Sequence, residues 1–150
     1  MSRQKAIICD LDGTLCDNSH RTSLVDGSEK KDWVAFNKQS EYDPVNVWCL
    51  ELVNAMAAQG YKILFLTARS ELGTTREITQ NWLNRHVPGI DFELIMRSGT
   101  DFRVDYLCKM DLFHTKVTPF YDVLFAIDDK ASISAMFRGQ GITSLTCSDF

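Results

Sequence analysis

Lys5-Ala6-Ile7-Ile8-Cys9-Asp10-Leu11-Asp12-Gly13-Thr14-Leu15 is the stretch whose reading decides the fold. Its apolar run suits a strand buried on both faces, and the run stops abruptly in two aspartates, a glycine and a threonine. Asp10 and Asp12 then stand where the strand leaves the sheet, the edge at which open α/β sheets bind ligands. Neighbouring carboxylates repel and are costly to desolvate. A divalent cation relieves that cost, and ligation by oxygen alone suits Mg²⁺. Gly13 permits a tight turn. An Asp-Gly turn alone is common after strands; the full run is far more specific, and the rest of the chain has to supply its partners.

At 150 residues, the chain is expected to form one domain, 1–150, with a substantial core. Its 45% hydrophobic and 24% charged residues are ordinary for a soluble protein. The net charge of −4 gives no broad electrostatic footprint for nucleic acid or an anionic membrane, though it leaves room for a small basic pocket. No apolar run approaches bilayer length and the N-terminus carries no signal pattern, so no membrane partner is expected. Cys9, Cys16, Cys49, Cys108 and Cys147 are odd in number and widely spaced, which fits free thiols in the cytoplasm. His20, His86 and His114 show no zinc-ligand spacing.

Residues 16–43 are polar and lack strand character, with a short helix expected near Trp33 and Phe36. A segment of that length is either a surface loop with one helical turn or a small cap over the site; we take it as a cap insert. Asp43-Pro44 reads as the N-cap and first residue of a helix ending at Gly60, with Val45, Trp48, Cys49, Leu52, Val53 and Met56 at helical spacing and Trp48 and Met56 in the core. Tyr61–Leu66 is a second strand, followed by Thr67-Ala68-Arg69-Ser70, whose hydroxyl and guanidinium can donate to phosphate. A helix over 74–86, a strand over 92–96 and a helix over 103–116 come next. On the last of these, Asp105 and Lys109 share a face and could be a plain surface pair. The fourth strand, Val123–Ile127, ends in Asp128-Asp129; a helix over 130–138 and a short strand over 142–146 complete the alternation. That alternation predicts an α/β fold, a parallel sheet with helices on both faces.

A parallel sheet brings Asp10/Asp12, Thr67/Arg69 and Asp128/Asp129 to one edge. An Asp-x-Asp-Gly-Thr, then a Thr, then a Lys, then an acidic pair resembles the haloacid dehalogenase (HAD) superfamily over essentially the whole chain, which implies its HAD-like, Rossmann-type fold. Arg21, Arg69, Arg103-x-Asp105-x-x-x-Lys109, Ala126-Ile127-Asp128-Asp129-Lys130, Met136-Phe137-Arg138 and the tail Ser148-Asp149-Phe150 bring the chain closer still to the phosphatase domain of the bacteriophage-type polynucleotide kinase/phosphatases. That resemblance implies removal of 3′-phosphates from nucleic-acid ends, and a host cytoplasm if the source is a phage. The chain has no G-x-x-x-x-G-K-[ST], so no kinase half is expected in it.

The resemblance implies Asp10 as nucleophile, forming an aspartyl-phosphate, and Asp12 as the acid and base that serves the leaving oxygen and then the attacking water. Thr67 and Lys109 would hold the transferring phosphoryl group. Thr14, Arg21, Arg69, Arg103 and Asp105 would contact substrate, and Asp10, Asp12, Asp128 and Asp129 would carry Mg²⁺. Arg21 and Arg69 extend no apolar face, so replacing either with Lys is expected to hurt an oligonucleotide more than a small aryl phosphate. Lys109→Ala is expected to cost activity but little stability. A small-molecule phosphatase such as a 5′(3′)-nucleotidase would share every catalytic residue. A receiver-like signalling module would also use an acidic pair, a Thr and a Lys, but its phosphoacceptor should follow a middle strand, and that strand here ends in Thr67. The intact Asp10 and Asp12 argue against a catalytically dead scaffold.

Overall fold

The structure, a computed structural model, describes residues 3–27 and 30–147. Its centre is a parallel five-stranded sheet in the order β3-β2-β1-β4-β5. The strands are β1 (Gln4–Cys9), β2 (Lys62–Ser70), β3 (Phe92–Arg97), β4 (Tyr121–Asp128) and β5 (Ser144–Thr146). Period-2 alternation explains why the β1 stretch is apolar throughout. Ile7 and Cys9, with Ile63 and Phe65 of β2, face one core; Ala6 and Ile8, with Leu64 and Leu66, face the other. Helices α2 (Val47–Ala58) and α3 (Thr75–His86) cover the first core through Cys49, Val53, Trp82 and Leu83. Helix α5 (Ala131–Gly139) covers the second through Ile133, Met136 and Phe137. Helix α4 (Asp105–Leu112) runs into a π turn, Phe113–Val117, whose Phe113 and Val117 close that core.

The chain places β1, β2 and β3 on one half of the sheet and then returns to lay β4 on the other side of β1. The strand order therefore reverses between β1 and β4, where a crevice opens at the carboxyl ends. Cys9 pairs with Ile127, and the Asp10 amide donates to the Ile127 carbonyl at 3.0 Å. Asp10 and Asp128 consequently leave the sheet side by side.

The insert between β1 and α2 holds a 3₁₀ turn (Ser19–Leu24), the short α1 (Trp33–Lys38) and a second 3₁₀ turn (Gln39–Tyr42). Asp32 caps α1, accepting from the Ala35 amide at 3.0 Å. The insert packs on α3.

Several element boundaries differ from the sequence-based expectations. Asp43 does not cap α2: the helix starts at Val47, because residues 43–46 run extended beside the first motif, with Asp17 N donating to the Pro44 carbonyl and Asn46 N to the Leu15 carbonyl. The buried stripe of α2 is Cys49 and Val53, so Trp48 points outward at 48% exposure, while Met56 is half-buried against the core. Strand β2 continues through Thr67 and Arg69 to Ser70, and period-2 geometry puts those two side chains on one face. Helix α4 begins at Asp105, leaving Arg103 and Val104 in the preceding loop. The tail Ser148-Asp149-Phe150 lies outside the described residues. Among the described residues all five cysteines are free, and no helix is long and apolar enough to cross a membrane.

Candidate active site

Asp10 emerges from β1 with its carboxylate already engaged on both oxygens: Oδ1 accepts from Lys109 Nζ at 2.9 Å and Oδ2 from Thr14 Oγ1 at 3.1 Å. Lys109 comes from the second turn of α4 and also donates to Asp128 Oδ2 at 2.7 Å. It is 3% exposed and makes no hydrogen bond to Asp105, so a surface pair with Asp105 is ruled out. Asp105 instead accepts from Arg97 at 2.7 Å and Lys130 at 2.5 Å.

Carboxylate oxygens of Asp10, Asp128 and Asp129 lie within 4.8 Å of one another. Lys109 supplies one positive charge against these three acids. Burial, and then Asp128, push the Asp10 carboxyl well above the usual carboxylate range. Asp129 Oδ1 is buried with no hydrogen-bond partner. An orphaned buried oxygen among three crowded carboxylates is a site that a hard divalent cation would complete. Gly13 has φ +80°, and a Cβ there would fall 2.3 Å from Asp129 Oδ2. Glycine is therefore required twice over, for the turn and for the approach of the acidic pair.

Asp12 was expected beside the metal, but its carboxylate turns the other way. Oδ2 accepts from Arg69 Nε at 3.0 Å, and Oδ1 accepts from Arg69 Nη2 at 2.6 Å and from Arg21 Nη2. Burial opposes ionisation of Asp12, but the two guanidiniums prevail and hold its carboxyl well below the usual range. Arg21 is buried behind it. Its Nε and Nη2 straddle Asp43 at 2.8 and 2.7 Å, its Nη1 donates to the Phe36 carbonyl at 3.1 Å, and its Cζ lies 4.2 Å from the Phe36 ring centre. Arg69 Nη1 donates to Thr79 Oγ1 at 3.1 Å. His20 Nε2 stands 2.7 Å from Asp43 Oδ1.

Arg21 and Arg69 extend no apolar face, yet both have a structural role as well: each is held in a network of two carboxylates and two guanidiniums that anchors the insert. Asp43 is the member that sequence reasoning missed. Asp-Pro ahead of a helical pattern looks like a cap, and its real partner, Arg21, is 22 residues away.

Thr67 is buried, and its Oγ1 accepts from the Arg69 amide at 3.1 Å. The structure thus brings together Asp10, Asp12, Thr14, Thr67, Arg21, Arg69, Lys109, Asp128 and Asp129. It does not bring Arg103 to them. That side chain is paired with Asp101 at 2.9 Å and Asp111 at 2.5 Å, on the loop entering α4.

Residues 4–149 match the family described as the polynucleotide kinase PNKP phosphatase domain. A relative from Autographa californica nuclear polyhedrosis virus, named as a bifunctional polynucleotide kinase/RNA ligase, is 25% identical over 97% of this chain and 20% of its own length. A chain of the Pnkp1/Rnl/Hen1 RNA repair complex is 30% identical, with a TM-score of 0.77, over all of this chain and 45% of that one. The chain thus spans less than half the length of either. A class C acid phosphatase from Bacillus anthracis, 13% identical, shares the fold with a TM-score of 0.70 over 99% of this chain and 68% of its own. A family match running from β1 past β5, over a sheet that presents the Asp-x-Asp pair at its switch point, leads to one conclusion: the chain belongs to the PNKP phosphatase-domain family and is a hydrolase of the HAD superfamily.

Proposed function

We propose that this phosphatase is a Mg²⁺-dependent polynucleotide 3′-phosphatase, a single domain over 1–150 that acts through an aspartyl-phosphate on Asp10. The observation that carries the reading is the Asp10 carboxylate itself, held by Lys109 and Thr14 two residues from a second carboxylate fixed by arginines. Asp10, Asp128 and Asp129 would hold the cation, which when bound neutralises the repulsion between these acids and a phosphate dianion.

Attack of an Asp10 oxygen on phosphorus breaks the bond to the 3′-oxygen, and that oxygen takes a proton from Asp12. Asp12, a carboxylate in the free site, takes this proton up from solvent as substrate binds, because the incoming dianion raises its proton affinity against the hold of its two arginines. Once the nucleic acid leaves, Asp12 as carboxylate takes a proton from the water that attacks the acyl-phosphate. Lys109 and Thr67 offset charge on the transferring phosphoryl oxygens.

The product is a 3′-hydroxyl, the group a ligase needs. End-sealing and 5′-kinase activities are thus the functional partners, and free thiols suit a cytoplasmic setting. Phosphate release with Mg²⁺ tests the reading, comparing 3′-phosphorylated oligonucleotides, 3′- and 5′-mononucleotides and an aryl phosphate. The oligonucleotide is expected to have the highest kcat/KM; a preference for free mononucleotides would assign the chain to the nucleotidases.

The buried network changes the expectation for Arg69. It positions Asp12 rather than reaching outward, so Arg69→Lys keeps the charge and loses the paired donation. We expect kcat/KM to fall by about 10²-fold for oligonucleotide and aryl phosphate alike. A loss confined to the oligonucleotide would restore Arg69 to the substrate.

A further inference from the structure

Three segments leave the carboxyl edge of the sheet on its β1–β3 half: the insert after β1, residues 71–74 after β2, and residues 98–104 after β3. The third is braced. Arg97 Nε donates to the Ala68 carbonyl at 2.8 Å, its Nη1 to the Asp101 and Arg103 carbonyls at 3.2 and 2.6 Å, and its Nη2 to Asp105 at 2.7 Å. Arg103 locks onto Asp101 through two further bonds of 3.0 and 2.9 Å. The loop after β2 rests against it, since a Cβ at Gly99 would lie 3.3 Å from Leu72 Cδ1.

This braced loop holds Phe102 in water at 87% exposure; Val104, two residues on, and Leu72, which lies against Gly99 of the same loop, are exposed as well. A phenyl ring left in solvent contributes nothing to folding through burial. The loop also leads straight into α4, whose first turn ties to Lys130 through Asp105 and whose second turn puts Lys109 on Asp10 and Asp128. The loop that carries the ring is thus tied to the same frame as the phosphate site.

The geometry points to Phe102 as a stacking platform for an unpaired base of the nucleic acid whose 3′-phosphate meets Asp10; the assignment rests on the polynucleotide 3′-phosphatase reading. The chain has a net charge of −4, and the site arginines Arg21 and Arg69 are spent on carboxylates, so neither is left to grip a polyanionic backbone. Base faces offer another handle. Stacking on them tolerates any sequence, and a ring on a braced loop loses little freedom on binding.

The experiment measures kcat/KM for a 3′-phosphorylated single strand, the same strand with abasic sugars at its last two positions, and an aryl phosphate, in wild type, Phe102→Ala and Phe102→Trp, with melting curves as the folding control. Phe102→Ala is expected to lower the oligonucleotide-to-aryl-phosphate ratio by about 5- to 150-fold, the range of one base stack, and Phe102→Trp to restore it. The abasic strand should lose the same factor in wild type and lose no more in Phe102→Ala. An unchanged ratio in Phe102→Ala overturns the platform and leaves the 3′-phosphatase reading standing. A wild type that cleaves the aryl phosphate but no nucleic-acid end overturns that reading, and the platform with it.

Discussion

Asp10→Asn is expected to abolish phosphate release, lowering kcat by about 10⁴-fold or more, the scale seen when a nucleophile is removed. An amide cannot form the acyl-phosphate, and it is a poor ligand for a hard cation. The same substitution should not unfold the protein. Asp10 is one of three acids crowded within 4.8 Å against one buried lysine, so removing its charge relieves repulsion. Without divalent cation the variant should melt at or above the wild-type temperature. Adding Mg²⁺ should stabilise wild type more than the variant, because only a ligand bound by the native state raises its stability and one oxygen donor has been weakened. Phosphate release at near wild-type rate by folded Asp10→Asn would remove Asp10 from the role of nucleophile. An equal Mg²⁺ shift in both proteins would remove it from the metal site.

The parts of the site that were legible in the sequence are those that depend on local pattern. An apolar run ending in Asp10 and Asp12, and a second ending in Asp128-Asp129, fix two strand ends. Parallel pairing then brings them together with no further information, as the Cys9–Ile127 pair shows. Thr67 follows for the same reason. What was not legible depends on partners far along the chain. Whether Lys109 faces Asp105 one turn away or Asp10 across 99 residues is decided by how α4 lies on the sheet, and helical spacing alone serves both. Arg21 and Arg69 could be seen to matter but not how, because their acids, Asp12 and Asp43, meet only when the insert folds back. Once Asp43 is committed to Arg21, it is not free to cap α2, and the helix start moves to Val47 with it. Trp48 fails for a smaller reason: with Val53 and Cys49 on the buried stripe, the neighbouring position rotates into solvent.

Lys109→Ala shows how far that burial changes an expected result. As a surface ion pair, Lys109 would contribute at most a few tenths of a kcal/mol to folding. It is instead enclosed between Asp10 and Asp128, and truncation leaves two buried carboxylates without their cation. A broken buried pair typically costs about 3–5 kcal/mol, so at pH 7 without Mg²⁺ the variant should be destabilised by an amount of that order. The pH dependence follows from Asp10. Burial and Asp128 raise its folded-state pKa and Lys109 lowers it, so removing Lys109 raises it further. A carboxyl whose pKa is higher folded than unfolded favours the native state at low pH and loses that contribution as pH rises through the folded value. The deficit of the variant should therefore shrink on acidification, and Mg²⁺ should recover part of it at pH 7 by replacing the lost charge. Activity should not recover with it, because Lys109 also offsets charge on the transferring phosphoryl group, for which a loss of about 10²–10³-fold in kcat is expected. Urea unfolding of wild type and variant at pH 7 and pH 5, with and without Mg²⁺, alongside kcat at saturating Mg²⁺, separates the two roles. Unchanged stability at pH 7 without cation would contradict the buried bridge, and an unchanged kcat in a folded variant would take Lys109 out of the chemistry.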